Sequence, residues 1–267
     1  MRNPYPILWF DVDNRLKEMA AAKGHIESGR VIPWTINVPL IEDSIRARQL
    51  STESRGKLQT IGPPKKQPQG YPLILDMMDK ADKFIVENGI RTIVFDPITR
   101  VVEHMMRYLA YQTKHGVIEE SAWGIYLSNL EEFVAAAMSF PGDVNVIMIL
   151  HSRDFFDEDT GRNTAITPLL SGQMRAKVGS YFSEVWYNHI SFANGRPDFK
   201  VQCQPSNIVM CRTSRGLDFV EPASMQHIMK KGNWDERFTL MLYGPFGSGK
   251  STLALDLCNI NVEEEKK

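Results

Sequence analysis

The chain has 267 residues, 43% of them hydrophobic, which is enough apolar material for the core of one large α/β domain. Its formal net charge of −1 excludes a general electrostatic attraction to nucleic acid, so any such contact must be local. Three cysteines without C-x-x-C spacing favour a reduced, cytoplasmic compartment, and no signal-peptide pattern or apolar run of about 18 residues points to a membrane or secreted protein. We expect a single domain over residues 1–267.

The first predicted strand ends in two carboxylates. Residues 6–13 form a short apolar run that carries Asp11 and Asp13 at its end. In open α/β sheets, ligands bind at the carboxyl ends of parallel strands, so both acids are candidates for a phosphate site. A helix over residues 15–23, stopped by Gly24, is predicted to follow.

After a second strand over residues 31–38, residues 42–70 lose regular periodicity. They carry six basic and three acidic residues around a piece rich in Pro and Gly. We interpret this segment as a mobile loop. It is a candidate polyanion contact, an ordinary solvated loop, or a lid if the protein phosphorylates a small molecule.

A strand that ends in an acid comes next. After an amphipathic helix over residues 73–88, residues 91–96 form an apolar run that ends in Asp96. This is the pattern of a Walker B strand, whose carboxylate holds Mg²⁺ directly or through water. Amphipathic helices with core-facing Met and Leu are predicted over residues 99–114 and 128–139.

The most hydrophobic strand covers residues 144–150 and is predicted to lie at the centre of the sheet. It delivers His151 to the carboxyl edge, where this residue either contacts a γ-phosphate or is an ordinary hydrogen-bonded histidine. A polar loop over residues 154–163 holds two adjacent phenylalanines, which either stack nucleic-acid bases or fill an apolar gap. A helix is predicted over residues 167–182.

Three short alternating segments joined by turns predict an antiparallel β-meander over residues 184–216; the segments are 184–191, 198–204 and 207–213. Arg212 and Arg215 follow the last segment. They are either surface charge or an arginine finger that reaches the nucleotide of a neighbouring subunit. Residues 217–236 are predicted to be a polar connector.

The end of the chain carries the most specific signal. Residues 237–258 contain an apolar strand, a glycine-rich loop and the start of a helix, and four of them fill the pattern G-x-x-x-x-G-K-[ST] of a phosphate-binding loop. The predicted phosphate-binding residues are Gly244, Pro245, Phe246, Gly247, Ser248, Gly249, Lys250, Ser251 and Thr252. Lys250 is expected to reach the β- and γ-phosphates of a nucleotide, and the Ser251 hydroxyl is expected to bind Mg²⁺.

Taken together, these motifs resemble the RecA-like members of the ASCE class of P-loop ATPases, in particular phage-encoded proteins similar to archaeal recombinases and single-strand-annealing recombination ATPases. The resemblance covers most of the chain and rests on five stretches, which are residues 9–13, 93–96, 149–153, 211–215 and 244–252. It implies an α/β fold with a mainly parallel central sheet, flanking helices and an antiparallel extension.

The resemblance also implies roles for single residues. Asp13 falls on the acid that activates the attacking water, although the family commonly has Glu there, and Asp11 precedes it. His151 falls on the sensor glutamine, Asp96 and Ser251 on the Mg²⁺ ligands, and the two arginines loosely on residues that act between subunits of a homo-oligomer. The implied ligands are ATP and Mg²⁺, and the implied partner is DNA, preferably single-stranded, in phage recombination or replication. A translocation or packaging motor, a small-molecule phosphotransferase and a regulatory nucleotide-binding module are the alternatives.

The order of the motifs differs from the family order. There, the phosphate-binding loop comes first and is followed by the acidic pair, the Walker B strand and the sensor strand. Here the loop comes last, while the cyclic order of all pieces is kept. A circular permutation has this effect when the original chain ends lie close together. We therefore expect Asp96 and Ser251 to face one Mg²⁺ site.

Overall fold

The computed structural model describes residues 3–36, 67–113, 120–232 and 234–260. Most of the predicted basic loop over residues 42–70 therefore lies outside the described residues, and the helix that follows already begins at Gly70. No helix in the described ranges is long and apolar enough to cross a membrane.

A mixed β-sheet forms the centre of the described chain. Its parallel strands lie in the order β2 (Val31–Thr35), β1 (Ile7–Asp11), β3 (Thr92–Asp96), β4 (Asn145–Phe156), β9 (Thr239–Gly244) and β6 (Glu184–Ala193). Three strands pair antiparallel with their neighbours: β7 (Arg196–Gln202) with β6, β8 (Val220–Pro222) with β7, and β5 (Asn163–Pro168) with the outer half of β4. The parallel register aligns Asp11 with Asp96 and His151 with Gly244, so these strand ends meet at one edge.

Helices cover both faces of the sheet. In chain order they are α1 (Ala20–Glu27), α2 (Gly70–Glu87), α3 (Ile98–Gln112), α4 (Glu120–Met138), α5 (Met174–Lys177), α6 (Met225–Lys231) and α7 (Lys250–Leu255), with 3₁₀ turns at Leu16–Glu18, Val178–Tyr181 and Asp256–Asn259. Each long helix contributes apolar residues at helical spacing; in α2, for example, Ile74, Met78, Ala81 and Ile85 are buried on one side.

Two apolar cores result from the alternation of side chains along the strands. In β1, Leu8 and Phe10 join the core under α2, α3 and α4. Ile7 and Trp9 point to the opposite face and join the core under α1, α6 and α7. The molecule is thus a mainly parallel sheet between two helical layers, which is compatible with an α/β P-loop nucleoside triphosphatase fold.

The predicted stop of the first helix is wrong. Gly24 lies inside α1, which begins at Ala20 after a 3₁₀ turn and continues to Glu27. The helix ends where Gly29 takes a φ of +70° and its N–H binds the carbonyl of Ile26. A glycine is required at that position, because a left-handed φ strains residues that carry a Cβ.

Three boundaries in the middle of the chain differ from the predictions. Helix α4 begins at Glu120, eight residues before the predicted start at residue 128. The prediction missed its first turns because Trp123 and Ile125 are exposed there, so the sequence shows no clear polar face. Strand β4 runs on to Phe156 because β5 pairs with it, so the predicted loop is in part a hairpin. Residues 167–182 contain the end of β5, the short α5 and the 3₁₀ turn at Val178–Tyr181, and not one helix.

The predicted meander is correct in its first two strands, which are β6 and β7, and wrong in the third. Residues 207–213 make only isolated bridges, from Val209 to Ile166 and from Arg212 to Val185. The third strand is instead β8, within the predicted connector 217–236, which also holds α6. The hydroxyl of Tyr243 donates a hydrogen bond to the carbonyl of Met210 at 2.8 Å, which pins residues 207–213 against the sheet.

Candidate nucleotide-binding site

The glycine-rich loop joins β9 to α7 at the carboxyl edge of the sheet. Gly247 and Gly249 have φ angles of +77° and +82°, which residues with a Cβ rarely adopt. Gly244 is required for a different reason, because a Cβ there would lie 2.2 Å from the carbonyl oxygen of Asn188 on β6. The Asn188 amide in turn donates to the carbonyl of Ser248 at 3.2 Å. Strand β6 therefore shapes the loop from one side.

Lys250 opens α7 and is 6% exposed. Its Nζ donates hydrogen bonds to the carbonyl oxygens of Gly244 at 3.1 Å and Pro245 at 2.8 Å, so it closes the loop on itself. Burial lowers the pKa of Lys250 to about 8, and the nearby Asp96 carboxylate opposes this shift. A bound polyphosphate would offer this buried ammonium an anionic partner in addition to neutral carbonyls.

Asp96 and Ser251 face each other across the site. Asp96 ends β3 and Ser251 lies in the first turn of α7, and both residues line the same cavity. Burial raises the pKa of Asp96 to about 6, while the nearby Ser251 hydroxyl acts in the opposite direction. A carboxylate beside a hydroxyl is the kind of oxygen pair that binds Mg²⁺, which takes its other ligands from water and phosphate. The residues present thus fit this ion.

The two acids after β1 have different environments. Asp11 is buried, and its two carboxylate oxygens accept from the backbone N–H groups of Arg15 and Leu16, both at 3.0 Å. Burial raises the pKa of Asp11, and these two bonds lower it. Asp13 lies in the turn beyond the strand, and its Oδ1 accepts from Nε of Arg100 at 2.8 Å.

His151 lies opposite the tip of the glycine-rich loop. Its ring is stacked 6.0 Å from the ring of Phe246, which is 74% exposed. The guanidinium of Arg15 lies 5.7 Å from the centre of the same Phe246 ring. Burial and then the charge of Lys250 lower the pKa of His151, which favours the neutral imidazole.

These residues surround one cavity of about 340 Å³, here called the phosphate cavity. The predicted site residues that line it are Asp11, Asp13, Asp96, His151, Phe246, Gly247, Gly249, Lys250, Ser251 and Thr252. Arg15 and Pro97 also line it and were not predicted. Arg100 on α3, which pairs with Asp13, was also not predicted. An arginine in an amphipathic helix gives no sequence signal for a functional site.

Arg212 and Arg215 do not reach the phosphate cavity. Arg212 bridges to Val185, near the amino end of β6 and away from the edge that carries the loop. Nε of Arg215 lies 3.8 Å from Glu184, the first residue of β6, and its guanidinium lies 4.5 Å from the centre of the Trp234 ring. The phosphate cavity of a single chain therefore contains neither arginine.

Comparison with known proteins identifies the family. A family model described as an AAA domain matches residues 5–212, a span that contains the two acids after β1, Asp96 and His151 and ends before the glycine-rich loop. Searches of curated proteins and of solved structures gave no significant match. Since the match covers well over half of the chain and the remaining part carries the phosphate-binding loop, the chain belongs to the AAA domain family of nucleotide-dependent P-loop ATPases.

Proposed function

We propose that this protein is a Mg²⁺-dependent ATPase of RecA-like type, built on a circularly permuted domain. The observation that carries the proposal is that Asp96, Lys250 and Ser251 line one cavity. Two sequence motifs far apart in the chain, one typical of Mg²⁺ and one typical of phosphate, thereby meet in one cavity. This is the arrangement that phosphoryl transfer to water needs, because the reaction depends on positioning and on charge stabilisation.

The roles of the residues follow from their positions. Backbone N–H groups of the glycine-rich loop and the Lys250 ammonium hold the β- and γ-phosphates, while His151 faces the γ-phosphate end. Asp13 orients the attacking water, and Arg100 holds the Asp13 carboxylate through its bond at 2.8 Å. Ser251 and Asp96 would hold Mg²⁺, which would offset negative charge on the phosphate oxygens.

Asp11 has a positioning role in this proposal. Both of its carboxylate oxygens are occupied by backbone N–H groups, which leaves it poorly placed to accept a proton from water. It instead fixes the turn that presents Asp13. The sequence leaves open which of the two acids orients the attacking water, and we therefore assign this role to Asp13.

Circular permutation is supported by the sheet and by the chain ends. The strand of the glycine-rich loop lies next to the strand of His151, followed by the strands of Asp96 and of the acidic pair, although the loop comes last in the sequence. Arg30 links the two ends, because its guanidinium donates to the carbonyl of Cys258 at 2.7 Å and its carbonyl accepts from the N–H of Ile7 at 2.8 Å. A short connection from residue 258 to residue 7 would restore an ordinary strand-helix-strand unit.

Steady-state ATP hydrolysis tests the assignment. Lys250→Ala is expected to abolish turnover with the far-UV circular dichroism spectrum unchanged, because the ammonium contacts the transferring phosphate. Lys230→Ala on the exposed side of α6 is the matched control and should retain the wild-type rate. A Lys250→Ala protein that hydrolyses ATP at the wild-type rate would contradict the proposal.

The biological setting we propose is phage DNA recombination or replication in the host cytoplasm, with single-stranded DNA as partner and a homo-oligomer as the active form. The support is the resemblance of the sequence motifs and, for the reduced compartment, three free buried cysteines, Cys203, Cys211 and Cys258. Of the two arginines considered for contact between subunits, Arg212 is the candidate, since it is exposed and Arg215 packs against Glu184 and Trp234.

This setting is tested by ATPase rates without DNA, with single-stranded DNA and with duplex DNA, together with the mass in solution. Stimulation by single-stranded DNA of an oligomer is the expected result, and Arg212→Ala should reduce the stimulated rate while ATP affinity is unchanged. Equal rates in all three conditions from a monomer would contradict the DNA partner without touching the ATPase assignment.

A further inference from the structure

A second cavity of about 550 Å³ adjoins the glycine-rich loop. We call it the lateral cavity. Gly249 and Thr252 line both this cavity and the phosphate cavity, whereas Asp96 and His151 line only the phosphate cavity. The two cavities thus meet at the glycine-rich loop. The lateral cavity lies on the side of this loop that faces away from Asp96.

One wall of the lateral cavity is the ring of Phe199 on β7. A Cβ placed on Gly249 would lie 3.3 Å from this ring, so the ring packs directly against the glycine-rich loop. The strand is held in place, because the carbonyl of Phe199 accepts from the N–H of Ala223 at 3.1 Å and Phe199 is paired with Ile190. Even so, Phe199 is 40% exposed and leaves much of its flat ring uncovered.

The other walls are small and mostly apolar. Ala21, Ala223 and Leu253 leave room opposite the ring. The polar residues that also line the cavity are His25, Thr252, Asp256 and Asn259. The Asn259 amide is held by a hydrogen bond of 3.1 Å to Asp256. A mainly apolar space with one aromatic wall and several polar groups suits a flat heterocycle that has hydrogen-bonding atoms at its edge.

We propose that the lateral cavity binds the base of the bound nucleoside triphosphate and that Phe199 stacks on this base. This inference rests on the proposed ATPase function. If the γ-phosphate points toward Asp96 and His151, the nucleoside lies on the opposite side of the glycine-rich loop. The lateral cavity is reached there past Gly249 and Thr252. Phe199 would thus determine affinity for the nucleoside and leave phosphate binding to the loop.

The test compares two ligands at equilibrium by isothermal titration calorimetry with Mg²⁺ present: ATP, and inorganic tripolyphosphate, which lacks a base. Phe199→Ala should weaken ATP binding about tenfold, the loss expected for one base–aromatic stack, and leave tripolyphosphate binding unchanged. Phe199→Trp should retain ATP affinity. Phe192→Ala, on the same hairpin, 75% exposed and outside the lateral cavity, is the matched control and should bind both ligands like the wild type.

Two results would overturn the inference. Wild-type ATP affinity in Phe199→Ala would show that the ring does not contact the base. Equal weakening of both ligands would show that Phe199 only supports the shape of the loop through Gly249. Failure of the proposed ATPase function gives a distinguishable result. In that case the wild-type protein would bind neither ATP nor tripolyphosphate, or it would bind ATP without hydrolysing it.

Discussion

At the scale of single residues, two acids that lie two positions apart are assigned different tasks by their surroundings. Asp11 is the last residue of β1, and the backbone of the following turn folds over it so that two N–H groups bind its carboxylate. Asp13 has left the strand, borders the phosphate cavity and meets Arg100 from α3. One carboxylate is therefore part of the backbone scaffold, and the other borders the phosphate cavity, where we propose that it orients water.

The variants Asp13→Asn and Asp11→Asn should separate these tasks. Asp13→Asn is expected to lower kcat for ATP about a hundredfold or more, because an amide cannot accept a proton from water, with little change in stability. Asp11→Asn should cost about 1–2 kcal/mol of unfolding free energy, since one of the two N–H groups loses its acceptor. The measurements are kcat at saturating ATP and urea unfolding.

The contrast between the two variants is the decisive result. If Asp11→Asn lost turnover as completely as Asp13→Asn while it remained fully stable, the assignment of the water-orienting role to Asp13 would be wrong. Arg100→Lys provides a second control, because it keeps a charge beside Asp13 and should retain more activity than Arg100→Met.

At the scale of elements, two glycines have different effects on α1: one lies inside the helix, and the other determines where the helix ends. Gly24 lies within the helix with nothing near the position of a Cβ, whereas Gly29 beyond the helix has a φ of +70°. A glycine inside a helix is less favourable than alanine, but a left-handed position favours glycine. The two glycines therefore make a matched pair for a test of the helix boundary.

Gly24→Ala is expected to raise the unfolding free energy by about 0.5–1 kcal/mol. Gly29→Ala is expected to lower it by about 1 kcal/mol or more, because the new side chain strains the backbone. Chemical unfolding followed by circular dichroism measures both. Destabilisation by Gly24→Ala would indicate that the helix stops at residue 24, as the sequence pattern alone predicts.

A second element-scale feature joins β8 to α6 through a buried acid. Glu221 is 1% exposed, and its carboxylate accepts from Nζ of Lys231 at 2.9 Å and from the N–H of Asp218 at 2.8 Å. A ring nitrogen of His227 lies 3.0 Å from the same carboxylate. Burial alone would raise the pKa of Glu221, but these partners together lower it.

The lowered pKa gives a signed prediction for acid stability. A carboxyl group whose pKa is depressed in the folded state contributes stability above its unfolded pKa and loses it as the pH falls through the folded pKa. The wild type should therefore melt several degrees above Glu221→Gln at about pH 7, and the difference should vanish only as the pH falls through the lowered folded-state pKa of Glu221. Thermal melts across this range measure it, and a difference that is independent of pH would show that the charge of Glu221 is not the cause.

At the scale of the whole molecule, the edge that carries the phosphate cavity is assembled from strands that are far apart in the sequence. The carboxyl ends of β1, β3 and β4 come from the first 156 residues, and β9 with its loop comes from the last part of the described sequence. The register between β4 and β9 pairs His151 with Gly244, so the late strand is inserted beside an early one. The active arrangement thus depends on a long-range pairing that no local segment forms alone.

A rearranged chain tests the permutation directly. It would begin at Gly232, join Ile260 to Asn3 through a short Gly-Ser linker, and end at Lys231. Because Arg30 holds residues 258 and 7 close together, the join should fit, and the protein should fold and hydrolyse ATP within a few-fold of the natural rate. A matched chain cut between residues 94 and 95 in buried β3 should fail to fold.

If the joined protein folded but had lost ATP binding, the proposed connection between the two ends would be wrong. If it folded and hydrolysed ATP, the natural order of the chain would be one of two interchangeable solutions to the same sheet. Circular dichroism and calorimetric ATP binding distinguish these outcomes.

Much of this protein follows from its sequence. The phosphate-binding loop, the acids that end β1 and β3, and the central strand before His151 are recognisable because glycine spacing and uninterrupted apolar runs leave few alternative conformations. The parallel arrangement follows from the same runs, since strands buried on both faces are apolar throughout. The α/β fold class and the residues that meet around the candidate site could thus be predicted from local patterns.

Only the tertiary structure decided the rest. Strand β4 continues to Phe156 because β5 pairs with it, and β8 takes the edge of β7 that residues 207–213 were expected to fill. The roles proposed for Asp11 and Asp13 likewise depend on partners distant in sequence or hidden in backbone geometry. Backbone pairing and side-chain burial are long-range properties, so a local pattern can identify candidate residues, while the packed sheet determines which of them meet around the glycine-rich loop.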